Sequence, residues 1–327
     1  MKCHLSIPNL FWPDPNFRIE ALPHLENLLA RSEKRKREAC SLEEWILTAF
    51  DVARQRDWPV APLTAEENSG YRLRADPVNL QVRRDHLTLL GPDLLSISES
   101  EAASILASLN SHFARDGFHF EMEKPDVWLL RLAASPDLET VPLYDVIGKD
   151  IAQYLPKGKD GLKWNQVMNE IQMLLHDHPV NDERMQKGMH PLNSVWFWGG
   201  GIFPDHLRSP FSSMTSSNPL ARNLARYAKT SFHPLPDNAE IWLAQLEDPG
   251  EHLLILEELR LPFRYRDGDE WDSRLRKLES DWFAPLHLAV QKGIDLAITD
   301  CEAGLHFDIG KLDLFKFWRR SRSVLDY

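Results

Sequence analysis

The sequence predicts an α/β protein whose core is assembled from both ends of the chain and interrupted by an α+β segment. Three observations carry that expectation. Two apolar runs, His252–Leu259 and Ile294–Thr299, have the unbroken hydrophobic texture of parallel strands covered on both faces. Between them Trp271, Leu275, Leu278, Trp282 and Leu286 recur at helical spacing, which completes a strand–helix–strand pattern. The region Tyr71–Leu90 instead alternates apolar and polar residues with turn residues between the runs, the signature of half-buried strands. The expected division is a core of residues 1–65 and 194–327 with residues 66–193 inserted as an α+β lid.

Each element follows from local chemistry. Cys3–Ile7 reads as a short buried strand closed by Pro8. Ile19, Leu22, Leu25, Leu28 and Leu29 then mark a helix running to Arg31, with Pro23 in its first turn, where a missing N–H costs nothing. Ser41 with Glu44 three residues later is a capping box before Trp45, Ile46, Ala49 and Phe50, and Ser98 with Glu101 opens a helix over 99–115 in the same way. Two strands, FHFEM and VWLLRLA, precede a helix over 162–176. Ser194–Trp198 is expected as a core strand, with Gly199–Gly201 turning at its exposed end.

At 327 residues, 43% of them hydrophobic, the chain can bury one large core or two linked ones. There are 38 Lys and Arg against 49 Asp and Glu, a net charge of -11, which argues against a general nucleic-acid or anionic-membrane binder. The basic runs Arg31–Glu38 and Lys316–Ser323 are short and read as solvated helix ends. Cys3, Cys40 and Cys301 show no CxxC spacing, so neither a disulfide framework nor a zinc knuckle is indicated and a reducing compartment is expected. No stretch approaches the roughly 20 apolar residues of a membrane span, and the amino terminus carries no cleavage signal, so a soluble cytoplasmic protein is expected.

The densest collection of special residues is HPVNDERMQKGMHPLNSVWFWGGG, His178–Gly201. Its His178, Pro179, Val180, Asn181, Arg184, Gly188, Pro191, Asn193, Gly199 and Gly201 closely resemble a block of the archaeal-type, cofactor-independent phosphoglycerate mutases of the alkaline-phosphatase-like superfamily. ALPHLENLLARSE and YRLRADPVNLQV are similar to flanking motifs of that superfamily. Over its whole length the chain resembles a bacterial family of Rpf-E-type regulatory proteins, also labelled phosphoglycerate mutases. The resemblance implies an alkaline-phosphatase-like core with an inserted α+β domain, and a site in which two divalent metals, Mn or Mg, activate a Ser or Thr nucleophile.

The departures bear on that chemistry. Where the resemblance places a first metal-binding Asp, after the first strand, this chain has Pro8-Asn9, and the next carboxylate is Asp14. The nucleophile's counterpart is Ser41, whose S-x-x-E context makes it a helix N-cap first, and the metal-binding Asp beside it is Leu42. A late metal-binding pair is matched by Asp300-Cys301, with His306 nearby. A phosphate-contacting Arg is replaced by Trp198, which can only stack and donate one hydrogen bond. His176, Asp177 and His178 form an H-D-H run read as structural.

The expectation is therefore a relative that has lost phosphoryl transfer, has no metal cofactor and acts as a regulatory or ligand-binding protein. Its partner would be a small phosphorylated or polar metabolite, with no nucleic acid and no membrane. An active enzyme would have to rebuild a metal site from Asp14, Asp300 and His306. The candidate ligand residues are Asn181, Arg184, Asn193, Trp198, Gly199, Gly200 and Gly201. The Asn side chains could equally staple the crossing between insert and core, and the glycines could let backbone N–H groups approach an anion.

Overall fold

The computed structural model describes residues 1–14, 16–65, 69–83, 86–246 and 249–327. Its strands in chain order are β1 (Lys2–Ser6), β2 (Glu33–Lys36), β3 (Tyr71–Val82), β4 (Leu87–Leu90), β5 (His119–Lys124), β6 (Val127–Leu132), β7 (Ser194–Gly201), β8 (Ser213–Thr215), β9 (Ser231–His233), β10 (Glu251–Ile255), β11 (Asp295–Asp300) and β12 (Leu305–Ile309). They belong to two compact units, Met1–Val52 with Leu207–Tyr327, and Ala53–His206.

The first unit holds a sheet ordered β2-β12-β11-β1-β10-β8-β9. β11, β1, β10, β8 and β9 are parallel, β12 is antiparallel to β11, and β2 is antiparallel to β12. Parallel strands need covering on both faces, which is why β10 and β11 read as near-continuous apolar runs. The helix Pro23–Arg31 contributes Leu25, Leu28 and Leu29 to that cover, and Gly268–Leu278 contributes Trp271, Leu275 and Leu278. The second helix runs through a π-helical segment, Glu279–Phe283, into Ala284–Gln291. Among the described residues no helix is long and apolar enough to cross a membrane.

The helix-end reading of the basic runs holds only at Arg31, the last residue of the helix Pro23–Arg31. Within Arg31–Glu38, residues 33–36 form β2, the charged strand at one edge of the sheet, and its Lys-rich sequence discourages pairing with another chain. The run Lys316–Ser323 is irregular and follows a 3-10 turn over Lys311–Phe315.

The second unit is antiparallel, ordered β4-β3-β6-β5, with β7 on β3. Twelve-residue β3 pairs with β6 through Tyr71–Arg74, with β4 through Asn79–Val82, and with β7 between Arg72 and Val78. The placement of Ser194–Trp198 in the core is thereby corrected. All eight residues of β7 are buried, and such a strand has the same sequence texture in either kind of sheet; only its pairing decides, and here the partner is β3. The boundaries move with it, from 65/66 and 193/194 to 52/53 and 206/207. The ends of the second unit are tied by the Gln55 amide, which donates to the Ile202 carbonyl at 2.8 Å and accepts from the Ile202 N–H at 3.0 Å.

Candidate functional site

In the first unit β1, β8, β10 and β11 run the same way, so the residues after each arrive at one edge of the sheet, where open α/β sheets collect their ligands. Pro8-Asn9 follows β1 and Asp300 ends β11, and the two meet. The Asp300 carboxylate accepts from the backbone N–H groups of Asn9 (3.2 Å), Leu10 (2.9 Å), Glu302 (3.0 Å) and Ala303 (3.1 Å). Burial pushes its pKa up to about 6, although the N–H groups around it favour the ionised form. Asn9 lies in the left-handed region at φ 63°, a conformation Asn tolerates better than most residues, and its amide donates to Glu302 at 2.9 Å.

Beside this turn lies a buried cation. The Arg260 guanidinium donates to both oxygens of Glu43 at 2.8 Å each, and lies 3.3 Å from Glu257 and 3.4 Å from Glu302. Arg264 pairs with Glu302 as well, and the Asn218 amide donates to both Glu257 oxygens at 3.1 and 2.9 Å. Burial would raise the Glu43 carboxyl, but the charge and hydrogen bonds of Arg260 hold it below the usual carboxylate range. Burial pushes Glu257 up, against the opposing pull of Arg260. The result is a ring of carboxylates most of whose oxygens are committed to guanidinium, amide and backbone donors, with Glu302 Oε1 facing Arg260 Nε at 3.4 Å without a hydrogen bond. That donor set does not fit a divalent ion, which would have to displace a bidentate guanidinium to reach Glu43 and would find an Asp300 whose Oδ1 already accepts three N–H groups and whose Oδ2 accepts a fourth.

The three residues an active site would need are not brought together. Asp14 is exposed on a loop, where it caps the Asn16 N–H at 2.9 Å. His306 pairs across the sheet with Thr299, not Asp300, so the pleat sends the His306 and Asp300 side chains to opposite faces. His306 Nδ1 lies 2.8 Å from the Thr299 hydroxyl and Nε2 lies 3.0 Å from Asp308. Among the described residues, no group of three or more His, Cys, Asp or Glu side chains is arranged to hold a metal ion. Ser41 is the N-cap of the helix Leu42–Ala49, its hydroxyl accepting from the Glu44 N–H at 3.2 Å.

The remaining candidates lie in the second unit and are internal fasteners. Asn181 donates to the carbonyls of Leu175 and Leu192 and accepts from the Leu192 N–H, and Asn193 exchanges two bonds with the backbone of Leu80. Arg184, the residue most expected to grip a ligand, is buried and bonds the His190 carbonyl at 2.7 Å, Glu101 at 2.9 Å and the Leu95 carbonyl. Trp198 donates to the buried Asp76 at 2.7 Å, while Arg74 bonds Asp76 and lies 5.1 Å from the indole ring. His178 caps the helix Pro179–Gln186, and His176 and Asp177 are exposed.

Gly199–Gly201 complete β7 rather than turning off its end. Gly199 has φ +65°, and a Cβ at Gly200 would lie 2.4 Å from the Tyr71 hydroxyl and 2.6 Å from Leu73. These glycines admit neighbouring side chains rather than an anion.

Residues 74–181 match the family described as 2,3-bisphosphoglycerate-independent phosphoglycerate mutase. That is a similarity of the second unit. The mutase of Methanosarcina mazei is 30% identical over 152 residues, covering 44% of this chain and 37% of that protein. The mutase of Methanosarcina acetivorans is 34% identical over 150 residues, covering 43% and 37%. The chain thus spans less than two fifths of the length of these relatives. In structure it is similar to the PH0037 protein from Pyrococcus horikoshii, with a TM-score of 0.52, 12% identity and coverage of 94% of this chain and 84% of that one, a likeness of fold. Phosphoglycerate-mutase similarity by family is therefore placed on 74–181, whereas Arg260 and Asp300 lie outside it.

Arg260, Glu43, Glu257 and Asn218 were not anticipated from sequence. ELRLPFR carries no motif, and Glu43 reads as an ordinary first-turn acid behind Ser41. A faint signal existed in Arg260 standing between Leu259 and Leu261, inside an apolar run where a charge needs a partner.

Proposed function

We propose that this is a cytoplasmic, phosphoglycerate-mutase-like protein, of the Rpf-E regulatory type, that no longer performs metal-dependent phosphoryl transfer and acts by binding a ligand or a partner. Its architecture in this proposal is an alkaline-phosphatase-like core carrying an inserted α+β domain. The observation that carries it is the Arg260 guanidinium inside its ring of Glu43, Glu257 and Glu302 at the C-terminal edge of the parallel strands. A two-metal centre needs carboxylates free to neutralise divalent ions, whereas here an internal cation has taken that charge. Ser41, spent on a helix cap, supports the same conclusion.

The names of the relatives favour a second possibility, a working phosphoglycerate mutase; in this alternative it, or a phosphatase on the same fold, would depend on Mn or Mg. Metal analysis of the purified full chain, with a mutase assay in added manganese, separates the two. The first predicts neither stoichiometric metal nor turnover; finding both overturns it. The ligand in the first case is a small phosphorylated or polar metabolite, and calorimetry against 2- and 3-phosphoglycerate is the direct test.

A further inference from the structure

Leu312, Phe315, Phe317 and Trp318 stand within seven residues of one another and are 82%, 66%, 80% and 66% exposed. Single exposed apolar residues need no explanation, but four large ones on one short segment do. The segment is held rather than loose. Leu314 packs into the core between Leu312 and Phe315, Val324 is fully buried beyond it, and Arg319 donates to the Ser32 carbonyl at 2.6 Å. Burial of these anchors leaves their neighbours facing water. The same stretch, residues 311–323, carries five Lys or Arg (Lys311, Lys316, Arg319, Arg320, Arg322) against one acid, Asp313, a local charge of 5 − 1 = +4 in a chain of net charge -11.

We propose that this face docks the protein onto an anionic lipid surface. Aromatic and aliphatic side chains bordered by Arg and Lys are the combination that binds the boundary between headgroups and acyl chains. Side chains about two-thirds or more exposed project outward, and a lipid surface envelops projecting groups without a complementary pocket. A second copy is disfavoured because it would set +4 against +4. The whole-chain charge opposes approach at long range, but charges beyond about 8 Å are largely screened at physiological salt, so the local patch decides contact. The reading of Lys316–Ser323 as a solvated helix end, and with it the expectation of no membrane contact, is what this inference replaces.

Co-sedimentation of the full chain with vesicles of phosphatidylcholine alone, and of phosphatidylcholine and phosphatidylglycerol in equal parts, tests it. Binding is expected to the mixed vesicles only, to weaken with salt, and to fall at least about tenfold when Phe317→Ser and Trp318→Ser are combined. Arg320→Gln, which leaves the apolar anchors in place, should lower binding and flatten its salt dependence, and thermal unfolding of each variant checks that it is folded. A chain that stays in solution with the mixed vesicles overturns the proposal. So does binding unchanged by the paired serine substitutions, or a concentration-dependent dimer that those substitutions abolish, which would assign the face to a second copy.

Discussion

The Arg260 guanidinium and the Glu43 carboxylate meet in two parallel hydrogen bonds of 2.8 Å, with side-chain exposures of 2% and 6%. Removing one member strands the other as a buried charge, so Arg260→Met is expected to cost about 3–5 kcal/mol. Arg260→Lys should be nearly as damaging, because an ammonium cannot match both carboxylate oxygens at once. Denaturant unfolding of the two variants checks this, and a loss below about 1 kcal/mol in both would mean that the pair does not hold the sheet edge.

The same pair sets an acid limb. The folded pKa of Glu43 lies below its ordinary 4.5, so its contribution is complete above that value and is lost as pH falls through the folded pKa. Stability measured from pH 6 downward should fall more steeply in the wild type than in Glu43→Gln, which is weaker throughout but has no such proton to bind. Parallel curves for the two proteins would contradict the assignment.

Ser41→Ala should cost about 1 kcal/mol and Ser41→Gly only a few tenths, since the hydroxyl serves the Glu44 N–H. Any phosphatase or mutase activity of the wild type should survive both substitutions, so an abolished activity with intact stability would restore Ser41 as a nucleophile.

Trp198→Phe removes the indole donor to Asp76 and should cost about 1–3 kcal/mol, measured by thermal or denaturant unfolding. Trp198→Arg should fold poorly, because the buried carboxylate already has Arg74 and a second guanidinium would enter unpaired. No gain of phosphoglycerate affinity is expected from it. Calorimetry showing such a gain would place a phosphate site beside β7.

Gly200→Ala should destabilise by about 1–3 kcal/mol, because its methyl would press on the Tyr71 hydroxyl and Leu73 in a closed core. An anion-cradle glycine would behave differently, losing ligand affinity with little loss of stability.

Much of the fold was legible in the sequence because its signals are local. The S-x-x-E signatures at Ser41 and Ser98 place helix starts where the structure has them, since the hydrogen bonds involved span three residues; the full box forms at Ser98, and at Ser41 the hydroxyl alone caps the Glu44 N–H. The apolar runs before Leu256 and Thr299 are strands, and Trp271, Leu275 and Leu278 face the core, because periodicity is itself a consequence of burial. Asn181 and Asn193 do fasten backbone, but within the second unit, at Leu175, Leu192 and Leu80, rather than at a crossing between insert and core, because buried carbonyls and N–H groups there must find donors and acceptors.

The rest was decided by residues far apart in the chain. Whether β7 joins a parallel or an antiparallel sheet depends on its pairing with β3, more than a hundred residues earlier, and no property of SVWFWGGG itself distinguishes the two. The convergence of Asn9 with Asp300 followed from strand order, but what fills that edge did not. Arg260 becomes a buried cation only because Glu43, 217 residues away, folds against it. Sequence alone determined the helices and strands whose signals are local, the capped helix starts and the apolar runs; tertiary structure alone decided which charges are neutralised and which apolar residues face water. Those are energies of desolvation, fixed by neighbours in space rather than along the chain.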